Sequence, residues 1–223
     1  VEGTRYYHLI LLAENNEGYK NLVQLVSRAN TEGMYYKPRV DKELLRKYSK
    51  GLICLSACIA GEVPAWIIRG DMYRAEKALQ EYLEIFGPEN YFIEIQNHGM
   101  AEEKIAMDGI IPLAKKYNLG LVATNDAHYL KKEDSEFHEV LLCIQTGKNL
   151  DDPNRMKFSS DDYYLKSPEE MAGIFREYPE AIANTVKIAS RCHVEFDFDH
   201  RHLPLFPLPE GMTDEMYLRK LCE

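Results

Sequence analysis

Short apolar runs of strand length alternate with amphipathic stretches through the first two-thirds of the sequence. That alternation limits the fold more than any other feature. The runs are Tyr6–Ala13, GLICLSA from Gly51, YFIEIQ from Tyr91 and GLVATN from Gly120. Between them lie NEGYKNLVQLVSRAN, DKELLRKY, AGEVPAWIIRG, DMYRAEKALQEYLEIFG and EEKIAMDGIIPLAKKYN. In the first of these, Leu22, Leu25, Val26 and Ala29 recur at helical spacing. In the fourth, Asp71 opens and Gly87 closes a long helix. SEFHEVLLCIQTG supplies another helix after the last run. The pattern predicts an α/β fold with a mostly parallel sheet, open or closed into a barrel, and helices outside.

From Asp151 the texture becomes polar and turn-rich. Ser167-Pro168-Glu169-Glu170 reads as a capping box, with Ser167 at the cap and Glu170 reaching back to it. The helix YPEAIANTVKIASRCH follows, and HLPLFPLPEG, with three prolines, reads as a connector. The final TDEMYLRKLCE reads as a helix begun at Thr213 or Asp214. A strand-like run starts almost at once and the last helix is still running at Glu223, so the chain is expected to be a piece of a longer polypeptide.

Acidic side chains outnumber basic ones by 36 to 27, a net charge of −9. That balance argues against a domain whose main task is gripping a phosphate backbone, while leaving room for a locally positive cleft. The five cysteines, Cys54, Cys58, Cys143, Cys192 and Cys222, are too few and odd in number for a disulfide framework. A reduced cytosolic setting is the simplest expectation. No apolar run has the length of a membrane span and no leader is read, so the chain is expected to be soluble and intracellular.

In α/β folds functional side chains collect at the carboxyl ends of strands. His8 lies in the first run, and Cys58 just past the second. Glu94 lies in the third with His98 after it, and Asp126 and His128 follow the fourth. Imidazole, thiolate and carboxylate are the usual donors to zinc and related ions. Each residue also has an ordinary reading. His8 could be a core imidazole, Cys58 a small buried hydrophobe, Asp126 a turn cap, and Glu94 and His98 strand-end polar groups. Their recurrence at strand ends brings the metal-site reading level with these. His138, His193, His200 and His202 read as structural or exposed. Nucleophile-elbow, Walker and dinucleotide motifs are absent, and Cys54-x3-Cys58 has no second pair for a four-cysteine zinc site.

HLILLAENNEGYKNLVQLVSRA, GLICLSACIAGEV, YFIEIQNHG, GLVATNDAHYL, YYLKSPEEM and PEAIANTVKIASRC together resemble the PHP (polymerase and histidinol phosphatase) domain of bacterial DNA polymerase III alpha subunits, DnaE-type branch. The resemblance runs over nearly the whole chain. It implies a distorted (β/α)7 barrel, here incomplete at the N-terminus, with a metal cluster at the carboxyl ends of its strands. Residues 1–150 would be the barrel core without its first strands, 151–205 the C-terminal part of the domain, and 206–223 the connector toward a polymerase palm. His8, Cys58, Asp126 and His128 match metal-binding positions, and Glu94 and His98 match a stretch near the cleft. The opening H-x-H strand, the acidic residue and histidine after it, and a further glutamate have no counterpart, so this chain alone is expected to bind metal weakly and to be inactive.

The implied cofactors are divalent ions, zinc or manganese in the PHP site and magnesium at a polymerase site outside the chain. The implied activity is DNA-directed DNA polymerase in replication, with a metal-dependent phosphoesterase, a 3′–5′ proofreading exonuclease, in the PHP domain. Implied partners are DNA, a proofreading exonuclease subunit and other polymerase III holoenzyme subunits, in the bacterial cytoplasm and not at a membrane. The alternative is a docking module for that exonuclease subunit without catalysis of its own. A free-standing phosphoesterase for small phosphate monoesters is a third reading, disfavoured by the polymerase-like tail.

Overall fold

Each of the four apolar runs forms a strand in the computed structural model, which describes residues 6–199, 203 and 205–223. His200 and His202 lie outside the described residues. The strands are β1 (Ile10–Ala13), β2 (Leu52–Leu55), β3 (Tyr91–Ile95) and β4 (Leu121–Ala123). They form one open sheet in the order β1-β2-β3-β4. Pairing of β2 with β3 and of β3 with β4 is parallel, as expected.

β1 departs from expectation twice. It begins at Ile10 rather than Tyr6, His8 making only an isolated bridge to Gly61. It also runs antiparallel to β2, with Ile10 opposite Leu55 and Ala13 opposite Leu52. The cause lies in the connection. Gly51, opening β2, packs against Gly18 in the first turn of the next helix, and Glu14 donates its backbone N–H to the Gly51 carbonyl at 2.9 Å. The chain has therefore returned to the end of β1 it had just left. A Cβ on Gly18 would stand 1.8 Å from the Gly51 oxygen, so neither backbone could approach this closely with a side chain at Gly18.

The helices follow the sequence signals closely. They are α1 (Asn16–Thr31), α2 (Lys42–Lys47), α3 (Glu62–Ile68), α4 (Met72–Phe86), α5 (Ala101–Lys116), α6 (Ser135–Thr146), α7 (Pro168–Ile174), α8 (Pro179–Ala189) and α9 (Asp214–Cys222). Asn15, Asp41, Asp71, Ser167 and Thr213 cap their helices by accepting backbone N–H bonds. On α1, Leu25 and Ala29 are buried, but Val26 is 55% exposed, because the helix packs only one narrow stripe on the sheet.

β2, β3 and β4 are buried along their length, as strands covered on both faces must be. Alternate residues divide between two cores. Leu52, Cys54, Tyr91, Ile93, Ile95, Leu121 and Ala123 join the larger one with α3, α4 and α5. Ile53, Leu55, Phe92 and Val122 meet Ile188 of α8 on the other face. Asn184 adds a bond from its amide to the Leu121 carbonyl at 2.8 Å. The segment after α8 closes on the start of the chain. Arg191 donates to Glu14 Oε1 at 2.9 Å, to the Glu89 carbonyl at 2.6 Å and to Asn90 Oδ1. Asn16 and Glu195 exchange two bonds of 2.8 and 2.9 Å. Among the described residues no helix is long and apolar enough to cross a membrane.

Candidate functional site

The parallel strands β2, β3 and β4 end on one rim of the sheet, and the reversal of β1 brings its beginning to the same rim. His8 therefore stands beside the exit of β2. Its backbone N–H donates to the Ala60 carbonyl at 3.0 Å, and its Nδ1 lies 3.7 Å from Cys58 Sγ. Had β1 been parallel, His8 would sit at the opposite rim.

Cys58 is held by a tight loop after β2. Ala57 adopts a left-handed conformation, φ 63°, and Gly61 donates back to the Cys58 carbonyl at 2.8 Å. A Cβ at Gly61 would fall 2.1 Å from the Ser56 carbonyl oxygen, so the loop requires glycine there. Cys58 and Cys54 are both free thiols. Burial pushes the Cys58 thiol up, and the nearby Asp126 and Glu94 carboxylates push it the same way. A cation bound beside it would reverse that preference by favouring the thiolate.

Glu94 sits at the end of β3 and is 9% exposed. Its Oε1 accepts from Thr124 Oγ1 at 2.5 Å and from Gln96 Nε2 at 3.1 Å, while its buried Oε2 has no hydrogen-bond partner. Burial raises its pKa, helped by Asp126, against the lowering effect of Thr124 and Gln96. A void of about 20 Å³ has room for one water-sized group; Cys58, Glu94, Gln96 and Glu103 line it together with apolar walls that include Pro64, Met107 and Ile110. An orphaned carboxylate oxygen beside a thiol, an imidazole and a second carboxylate suits a divalent cation in its donor chemistry. The geometry is less complete: among the described residues no group of three or more His, Cys, Asp and Glu side chains is arranged to hold one.

His128 is the residue that stands apart. Its Nδ1 lies 2.7 Å from the Asp126 carbonyl, which makes that nitrogen the donor and leaves Nε2 as the basic one. The ring meets Phe158, His138 and Tyr163 edge-on, at 4.8, 5.5 and 5.6 Å. His138, read as structural or exposed, is thus its neighbour, and burial together with His128 lowers the His138 pKa.

His98 is fully engaged. Nδ1 lies 2.6 Å from Glu103 Oε1, Nε2 lies 2.6 Å from the Asn125 carbonyl, and the ring stacks on Tyr163 at 4.2 Å. Two acceptors on two nitrogens call for the imidazolium. Burial opposes the charge, but Glu103 and the Asn125 carbonyl outweigh it and raise the pKa. With no nitrogen left over, His98 braces the loops after β3 and β4 and does not serve as a donor to a ligand.

Several participants had no signal strong enough to single them out: Thr124, Asn125, Glu103, Tyr163 and Lys166. Only Glu103 had a legible cue, an acidic residue in the first turn of α5. A groove of about 630 Å³ opens beside His8, lined by Tyr6, Tyr7, Lys37, Arg39 and Lys42. Lys42 is paired with Glu62 and Glu81, Arg39 lies over the Tyr35 ring at 4.6 Å, and the acidic Asp41 and Glu62 share the lining.

Residues 1–98 match the PHP domain family. Over 220 residues the chain is 51% identical to the DNA polymerase III subunit alpha of Treponema pallidum, covering 98% of this chain and 19% of that protein. It is 49% identical over 222 residues to the subunit of Thermus aquaticus, covering 97% and 18%. The Borreliella burgdorferi subunit is 40% identical over 221 residues, covering 98% and 19%. The chain thus spans less than a fifth of the length of these relatives.

Proposed function

The chain carries a PHP domain of the kind found in DNA polymerase III alpha subunits, and from that premise we propose that it serves a replicative DNA polymerase as a metal-dependent phosphodiesterase, a 3′–5′ proofreading exonuclease. What supports the reading is that the reversed β1 sets His8 3.7 Å from Cys58 on the rim where β3 and β4, carrying Glu94 and leading to Asp126, also end. Polymerisation would belong to the remainder of the alpha subunit, with DNA and the other holoenzyme subunits as partners in the bacterial cytoplasm. We read residues 1–150 and 151–205 as one domain, since α8 covers the second face of the sheet, and 206–223 as a connector.

His8, Cys58 and Asp126 would hold the ion, zinc or manganese, and His128, which stands apart from them in this fold, would have to close on it to complete the set. When bound there, a divalent ion would supply Lewis acidity toward a phosphoryl oxygen and toward an attacking water. The hydrogen bond at His128 Nδ1 keeps Nε2 available as a donor to metal. Glu94 Oε2 would supply a further acceptor for a proton or a cation. Lys37, lining the groove at His8, would suit a phosphate of an entering strand.

A second reading, a docking surface for a separate exonuclease subunit, is favoured by the outer face of α6. Phe137, Leu141 and Ile144 recur there at helical spacing and are 70, 61 and 72% exposed. One experiment separates the two. In the intact alpha subunit, Asp126→Ala should lose bound metal and 3′–5′ removal of a mismatched primer end by at least about 100-fold, with primer extension preserved. Loss of metal with excision at the wild-type rate would assign the nuclease to a co-purifying partner and leave docking as the function.

A further inference from the structure

We propose that Lys166 and His98 act, through Asn125, as positioning residues that hold Asp126 in its ligand-ready conformation; this rests on the metal reading of Asp126. Asp126 has φ 49°, a left-handed conformation open to aspartate and held here by its surroundings. The enforcing contacts fall on the preceding residue. The Asn125 carbonyl accepts from His98 Nε2 at 2.6 Å, Asn125 Oδ1 accepts from Lys166 Nζ at 2.9 Å, and Asn125 Nδ2 donates to the Tyr164 carbonyl. All three hydrogen-bonding groups of its carbonyl and side-chain amide are thereby committed.

The opposing strap is equally anchored. Lys166 Nζ also donates to the Asp162 carbonyl and lies 4.5 Å from the centre of the Tyr164 ring. Beyond Asp126, His128 donates its backbone N–H to the Tyr163 carbonyl at 2.7 Å, and Leu165 returns a bond to the Tyr129 carbonyl at 3.0 Å. Asp126 is therefore an exposed residue in a left-handed conformation between the pinned Asn125 and His128. Its carboxylate gains its position from groups that never touch the ligand, the arrangement in which outer partners orient a metal-binding side chain.

Lys166 is the member to test, because it meets Asn125 with one charged donor and is not itself a candidate ligand. The probe is Mn²⁺ alone, titrated into the intact alpha subunit, with its electron paramagnetic resonance spectrum recorded. Lys166→Met should weaken Mn²⁺ binding at the PHP site about 10-fold and broaden the bound-ion spectrum, with an unchanged circular dichroism spectrum. Lys166→Arg, which keeps a charged donor, should recover to within about threefold. Should Lys166→Met fail to fold, Asn125→Ala, which removes the same bond from the other side, should give the same loss. Wild-type affinity and spectrum in Lys166→Met or Asn125→Ala, or an Arg variant as weak as Met, would overturn the proposal. Asp126→Ala serves as reference: its loss of Mn²⁺ beside an unaffected Lys166→Met would reject the clamp and keep the metal site. Unchanged binding in Asp126→Ala would instead reject the metal reading, and the clamp with it.

Discussion

At the scale of single residues, the His98–Glu103 pair ties ionisation to stability. The His98 pKa is raised above its ordinary value of 6.5, so its contribution is complete below that pH and fades as pH rises through the folded-state value. Burial pushes Glu103 up, but its bonds to His98 outweigh that and hold it below its ordinary 4.5. Its contribution is complete above 4.5 and is lost as pH falls through the lower folded value. Both act fully between about 4.5 and 6.5. His98→Leu would leave the buried carboxylate without its partner and should cost about 3 kcal/mol in that window. Urea unfolding of the two proteins at several pH values should show the gap narrowing above pH 7. A gap that widens there would mean the imidazole is neutral in the fold.

Elements hold their places through close backbone approaches, and Gly61 shows what those demand. Gly61→Ala would drive a Cβ against the Ser56 carbonyl and should destabilise the protein by about 2 kcal/mol or more, while moving Cys58 away from His8. Melting temperature, together with the rate at which an alkylating reagent modifies Cys58, measures both effects. Much at this scale was legible in advance. The caps at Asp71 and Ser167 and the closing Gly87 are local chemistry, and the structure keeps them. The direction of β1 was hidden, because a strand reads the same whichever way its neighbour runs, and the return of the chain depends on Gly18 meeting Gly51. The candidate site was legible as a set of donor types at strand ends. Its supporting bonds were not, since Asn125 and Lys166 are 41 residues apart and nothing in either stretch pairs it with the other.

Across the whole molecule, a polar clasp joins the ends of the folded region beside the core contact of Leu12 and Cys192. Arg191 has 23% of its side chain exposed and serves Glu14, Glu89 and Asn90 together, so Arg191→Met should remove about 2 kcal/mol of stability. It should also raise hydrogen exchange along β1 more than along β3, which the clasp touches only at its margin. Uniform loss of protection would show that the clasp is part of one cooperative unit. The clasp has a further consequence on the ribosome. Glu14 and Arg191 are separated by 177 positions, which at about 5–20 residues per second is roughly 10–35 s of synthesis. Once Val122 has been made, 66 further positions precede Ile188, roughly 3–13 s at that rate, and for that time a chaperone can shield Ile53, Leu55, Phe92 and Val122 on the uncovered α8 face.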